Sequence, residues 1–307
     1  MVMKRKLVKQ GMRALTLTLP ASWVEKNHLH AGDEIDLLET DNTLTVATEQ
    51  KQPLREITVD VSGLIPRLAD RFMARSYQKG YDKIIIKFDT PELMLAIKNK
   101  IPELMGFEIL NITKNSMDIQ VISTNLDLDF DTLLRRAFLI LLDMSQTCHD
   151  AWKKEDNTAL ENIFHQDFDV NKFLYFCLRE LNKSQKMMTF GRSILYYLIE
   201  SLEDLGDELK LLGRVLAMQK PDKDILTLLQ KLNEMFRLSY EFFYTPDKSK
   251  AVRAFTLNKE ISTDIEALFG KKNKELTTAL VSIEFSKRVI YHLTTMRLDT
   301  LKELSGE

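Results

Sequence analysis

The chain contains little glycine, proline or cysteine for its length. Of its 307 residues, 10 are glycine, 7 are proline and 2 are cysteine. Such low glycine and proline content excludes collagen-like, linker-rich and largely disordered chains. The two cysteines, Cys148 and Cys177, are too few for a disulfide framework and lack the spacing of a zinc site. What remains is typical of a helix-rich globular protein of two or three domains.

Long apolar runs are also missing. The longest, residues 137–142, stops at Asp143 and is far shorter than the ~20 residues that a membrane span needs. The first residues pass from lysine and arginine directly into an alternating pattern, without the apolar core of a signal peptide. We therefore expect a cytoplasmic chain with no membrane insertion.

Common catalytic motifs are absent as well. The sequence contains no G-x-S-x-G elbow, no G-K-[ST] phosphate loop, no G-x-G-x-x-G and no H-E-x-x-H. We therefore expect no enzyme, and no catalytic residue is assigned.

Three segments with different patterns indicate a multidomain, mainly α, α+β protein. Residues 1–50 predict a strand, a short helix opened by Pro20, and a hairpin. Residues 54–124 alternate strands with helices, which is typical of βαβ crossovers in a small α/β domain. Residues 127–305 follow the 3.6-residue helical period throughout.

Six helices are predicted in the last segment. Their expected ranges are 128–155, 157–182, 186–219, 222–244, 248–269 and 273–304. A turn with an acid, Asp156, follows the first helix, and Asp247 stands at the matching place about 90 residues later. This recurrence predicts a pair of three-helix bundles.

A cluster of cations opens the sequence. Five lysines and arginines occur within thirteen residues that contain no acid: Lys4, Arg5, Lys6, Lys9 and Arg13. Cations along a first strand and its turn could follow a nucleic-acid backbone and gain affinity from counterion release. The alternative is a basic terminus that only aids solubility.

The wider pattern of residues 1–50 resembles the AbrB/SpoVT (MazE-like) family. The residues that carry the resemblance are Lys9-Gln10-Gly11, Leu17-Thr18-Leu19-Pro20, Trp23-Val24, Leu29, Gly32-Asp33-Glu34-Ile35 and Leu44-Thr45-Val46. The resemblance implies a homodimer in which two chains interleave hairpins into one swapped-hairpin β-barrel. It also implies that the basic residues near the first strand contact DNA. A segment of some 45 residues cannot bury a stable core alone, which independently favours the dimer.

An acidic stripe is predicted on the third helix of the last segment. Its members are Glu200, Glu203, Asp204, Asp207 and Glu208. At about 100° per residue they fall on the side opposite to the leucines of the same helix. The plain interpretation is a solvated face. However, five acids over two helical turns with few basic residues beside them repel one another unless a counter-ion is present.

The segment Leu202-Glu203-Asp204-Leu205-Gly206-Asp207-Glu208 resembles the signature of PhoU, a family built from two three-helix repeats. Glu203 and Asp207 match its metal ligands, and Glu200 and Asp204 complete the candidate set. The corresponding place in the second repeat has Arg288, so a second site is not expected. Oxygen-only ligands would suit Mg, Mn or Ca, with Fe implied by the resemblance alone.

Together the two resemblances match a composite architecture, the archaeal-type phosphate uptake regulator. They imply a transcription regulator that binds DNA as a homodimer and whose helical body engages a phosphate ABC transporter. Two alternatives stay open from the residues: an adaptor whose barrel only dimerises, and a metal-binding sensor.

Overall fold

The structure is a computed structural model that describes residues 4–11, 13–40, 43–48, 54–122, 129–183 and 191–299. The chain divides into two compact units, Met1–Pro53 and Leu54–Glu307. None of the helices in these described ranges is long and apolar enough to cross a membrane.

The first unit consists of two hairpins separated by a short helix. Its elements are β1 (Val8–Gln10), β2 (Ala14–Thr16), α1 (Ala21–Lys26), β3 (Asp36–Thr40) and β4 (Thr43–Ala47). The short helix and the second hairpin were predicted correctly. The prediction of a single first strand was wrong, because Gly11 adopts a φ of +69° and lets the chain reverse, so that β1 pairs with β2.

The described part of the first unit contains no closed barrel and no fully buried side chain. Several of its described large apolar side chains are exposed instead: Leu7, Val8, Leu15, Leu17, Leu37 and Leu44. A barrel interleaved from two chains cannot form within one chain, so the swapped-hairpin β-barrel stays a prediction.

The second unit begins with residues 54–122, here called the α/β layer. Its elements are β5 (Glu56–Asp60), α2 (Pro66–Gln78), β6 (Lys83–Lys87), α3 (Pro91–Lys100), a 3₁₀ turn (Ile101–Glu103), β7 (Phe107–Ile112) and β8 (Ser116–Val121). The strand order is β5-β6-β8-β7, with β5 and β6 parallel, as the predicted crossover requires. Alternate residues such as Ile84, Ile86 and Ile119 bury one face of the sheet beneath α2 and α3.

Residues 129–183 and 191–299 form the helical body. Its helices are α4 (Phe130–Lys153), α5 (Asn157–Lys183), α6 (Arg192–Ala217), α7 (Lys223–Tyr244), α8 (Lys248–Leu268) and α9 (Lys274–Leu298). All six were predicted from periodicity, and the parts of the predicted ranges at 186–190 and 300–304 lie outside the described residues. Side-chain caps at Asp129, Asp222, Asp247 and Asn273 accept backbone N–H groups and start four of them. α4–α6 and α7–α9 pack as two groups of three around one continuous apolar core.

Candidate functional site

The basic cluster lies on and beside the first hairpin. Lys4, Arg5 and Lys6 precede β1, Lys9 lies in β1, and Arg13 follows the Gly11 turn. All five side chains are exposed, and none pairs with a carboxylate within the described part of the chain. The cluster therefore offers five unneutralised charges to a partner.

The acidic stripe lies on α6, where its position is set by the leucine repeat. Leu198, Leu202, Leu205 and Leu209 are buried in the core, so the acids lie on the other side of the helix, as predicted. That side does not simply face solvent. The side chain of Glu203 is only 12% exposed, because α2 of the α/β layer lies against it.

Two arginines of α2 pair with the acidic stripe. Arg71 donates to Glu203 Oε1 at 2.8 Å, and its other terminal nitrogen lies 4.0 Å from Asp207. Arg75 donates to both carboxylate oxygens of Glu200, to Oε2 at 2.7 Å. The expectation that few cations lie beside the acidic stripe was therefore wrong. The counter-ions come from more than 120 residues earlier in the chain, beyond the reach of any local sequence window.

Lys210 connects Asp207 of the acidic stripe to a buried aspartate on α5. Lys210 donates to Asp207 on its own helix and to Asp167 on α5. Burial raises the pKa of Asp167, although the Lys210 ammonium acts in the opposite direction. α5 and α6 approach closely here because Gly206 has no side chain: a Cβ on Gly206 would lie 3.1 Å from Asp167 Oδ1.

A polar cleft of about 250 Å³ lies between the α/β layer and the helical body. Five carboxylates and four cationic side chains line it, most of them paired with one another. Lys100 pairs with Glu103, whose pKa is raised by burial. Tyr175 also lines the cleft, and its hydroxyl donates to Glu203 Oε1 at 3.2 Å.

Three of the four candidate metal ligands are paired with cationic side chains. Glu200, Glu203 and Asp207 each accept hydrogen bonds from a cationic side chain, which occupies oxygens that a metal would need. Asp204 is exposed, and partial desolvation of its carboxylate together with the neighbouring carboxylates raises its pKa. Nowhere in the described ranges do three His, Cys, Asp or Glu side chains gather in an arrangement that could hold a metal ion. The four residues do not fit a resident metal in this conformation.

The equivalent place in the second repeat is also paired internally. Glu284 on α9 accepts from Lys287 and from Arg288, the latter at 2.9 Å. Arg288 is exposed, whereas Lys287 is buried and also donates to Ser262. The carboxylate at this place is thus neutralised by its own helix.

A buried ion pair, not predicted from the sequence, forms a second polar contact between the α/β layer and the helical body. Arg179 on α5 donates to Asp82 at 2.5 Å and to the carbonyl oxygens of Tyr77 and Tyr81 at 3.0 and 2.6 Å. Lys183 donates to the same carboxylate at 2.6 Å. The side chains of Arg179 and Asp82 are only 4% and 7% exposed.

Known proteins offer few matches to this chain. No family model matches it, and no curated protein sequence matches it. A solved structure that the fold resembles is the phosphate transport system regulatory protein PhoU from Streptococcus pneumoniae. The two are 13% identical with a TM-score of 0.47, over 58% of this chain and 94% of that one. A likeness at this level assigns no function to the chain.

Proposed function

We propose that this protein is a dimeric, DNA-binding transcription regulator of phosphate uptake, with a helical body that engages a phosphate ABC transporter. Two sequence resemblances support the proposal. Residues 1–50 resemble the AbrB/SpoVT family, and Leu202–Glu208 resembles the PhoU signature. The order of the two segments is that of the archaeal-type phosphate uptake regulator.

The basic cluster is the observation that carries the DNA-binding part. Its five cations are exposed and unpaired within the described residues, whereas the cations around the acidic stripe are neutralised by carboxylates. Unpaired cations on a hairpin and on the segment that precedes it can contact successive phosphates of a nucleic-acid backbone. A cluster that served solubility alone would not need to be concentrated on one hairpin.

The dimer is supported by the exposed apolar side chains of the first unit. Leu15 and Leu17 are 61% and 47% exposed, and Leu37 and Leu44 are 58% and 57% exposed. Burying such side chains contributes roughly 1.5–3 kcal/mol each, which one chain of this unit leaves unrealised. A second copy that interleaves its hairpins would cover them and place two basic clusters on one body.

We expect replacement of Lys4, Arg5, Lys6, Lys9 and Arg13 with alanine to abolish tight binding to promoter DNA. The slope of log affinity against log salt should flatten by about 0.9 for every phosphate that the variant no longer neutralises. The measurement is fluorescence anisotropy of the full-length protein on its own promoter DNA across a salt series.

The matched control removes five exposed, unpaired lysines from the second unit: Lys98, Lys114, Lys220, Lys259 and Lys271. It removes the same number of positive charges, but from side chains that are not proposed to contact DNA. The variant should therefore keep the wild-type salt slope. If both variants bind with wild-type affinity and slope, the basic cluster does not contact DNA, and the adaptor alternative replaces the regulator.

A further inference from the structure

We infer that the acidic stripe binds the α/β layer of its own chain instead of a metal. Arg71 and Arg75 lie in the place where the resemblance to PhoU implies a divalent metal. The inference goes beyond the proposed function, since neither DNA binding nor a transporter partner requires it. It rests on the disagreement between the candidate ligand set and the pairing of those side chains.

The pairing is in register over more than one helical turn. Arg71 and Arg75 are four residues apart on α2, and their partners Glu203 and Glu200 are three residues apart on α6, in the opposite order. Residues at such spacings lie on one face of each helix, so the two arginines face the two glutamates as matched pairs.

The arginines and a metal compete for the same oxygens. Arg71 donates to Glu203 and lies near Asp207, the two residues that match the metal ligands of PhoU. Hard divalent cations need several oxygens within about 2.0–2.6 Å, which a guanidinium among those oxygens prevents by volume and by charge repulsion. Lys210, which donates to Asp207, adds a further fixed cation.

Removal of the internal cations should therefore expose a divalent-cation site. The probe is MnCl₂ alone, titrated into the full-length protein and followed by isothermal titration calorimetry. We expect Arg71→Gln/Arg75→Gln to bind Mn²⁺ at least ~10-fold more tightly than wild type. Adding Glu203→Gln/Asp207→Asn to that variant should remove the gain.

Lys98→Gln is the matched control, because Lys98 lies on α3 of the same α/β layer, does not line the cleft, is exposed and has no carboxylate partner within the described residues. It should leave Mn²⁺ binding at the wild-type level. Arg71→Gln alone keeps the Arg75–Glu200 pair and repeats the test with a smaller structural change, and circular dichroism checks that each variant retains its helices.

Two outcomes would overturn the inference. The first is stoichiometric Mn²⁺ binding by the wild-type protein that Glu203→Gln/Asp207→Asn abolishes, because a metal would then bind despite the arginines. The second is a folded Arg71→Gln/Arg75→Gln variant with no gain in Mn²⁺ affinity. Neither result depends on DNA binding, so this inference and the proposed function can fail separately.

Discussion

Replacement of Asp82 with asparagine should destabilise the second unit by about 3–5 kcal/mol, which is the usual cost of leaving a buried charge unpaired. Asp82 is the only carboxylate that Arg179 contacts among the described residues, and both side chains are almost fully buried. The two carbonyl oxygens that Arg179 also contacts satisfy its N–H groups but do not neutralise its charge. Urea unfolding followed by circular dichroism measures the difference.

The effect of this substitution should depend on pH. Burial raises the pKa of Asp82, but hydrogen bonds from Lys183 and from the Arg55 backbone N–H outweigh it, and the net pKa lies below its ordinary value of 3.8. A carboxylate with a lowered pKa contributes stability above its unfolded pKa and loses it as the pH falls through the folded pKa. The difference in the free energy of unfolding between wild type and Asp82→Asn should thus be largest at pH 7 and should decrease below about pH 4.

Asp118→Asn is the matched control for this prediction. Asp118 lies on β8, on the sheet face opposite to α2 and α3, and is not fully buried. Its replacement should change stability by no more than about 0.5 kcal/mol. If Asp82→Asn were as stable as Asp118→Asn, the carbonyl contacts alone would suffice to hold Arg179.

Local patterns in the sequence were enough to predict most elements of the fold. The helices α4–α9 follow from an apolar repeat that has one buried face, as Leu198, Leu202, Leu205 and Leu209 illustrate on α6. The predicted side of the acidic stripe was also confirmed, because it follows from the same geometry. These features depend on neighbours within one or two helical turns.

Pairings across distant segments could not be predicted in the same way. Arg71 and Glu203 are 132 residues apart, and neither residue identifies its partner. One signal was available: Arg67, Arg71 and Arg75 recur every four residues, which places three cations along one side of α2. The position of β8 between β6 and β7 likewise depends on strand pairing, which alternation alone does not specify.

Replacement of Tyr175 with alanine should destabilise the second unit by about 3–5 kcal/mol, as is usual when a large buried aromatic ring is removed. Tyr175 belongs to α5, yet its ring packs in the apolar core of the α/β layer and is only 2% exposed. The cavity would open between the α/β layer and the helical body, where the Tyr175 ring now packs. Thermal unfolding and urea unfolding should both report the destabilisation.

Tyr175→Phe separates the contribution of the aromatic ring to stability from that of its hydroxyl. Burial and the charge of Glu203 raise the pKa of Tyr175, so the hydroxyl stays protonated and donates to Glu203. Removing that hydrogen bond should cost about 1 kcal/mol, because Glu203 keeps Arg71. A destabilisation in Tyr175→Phe as large as in Tyr175→Ala would contradict this and make the polar network the main attachment. The expected result would mean that apolar packing holds the α/β layer and the helical body together. The partly exposed pairs of Arg71 and Arg75, at up to ~1 kcal/mol each, then mainly set which residues of α2 face the acidic stripe.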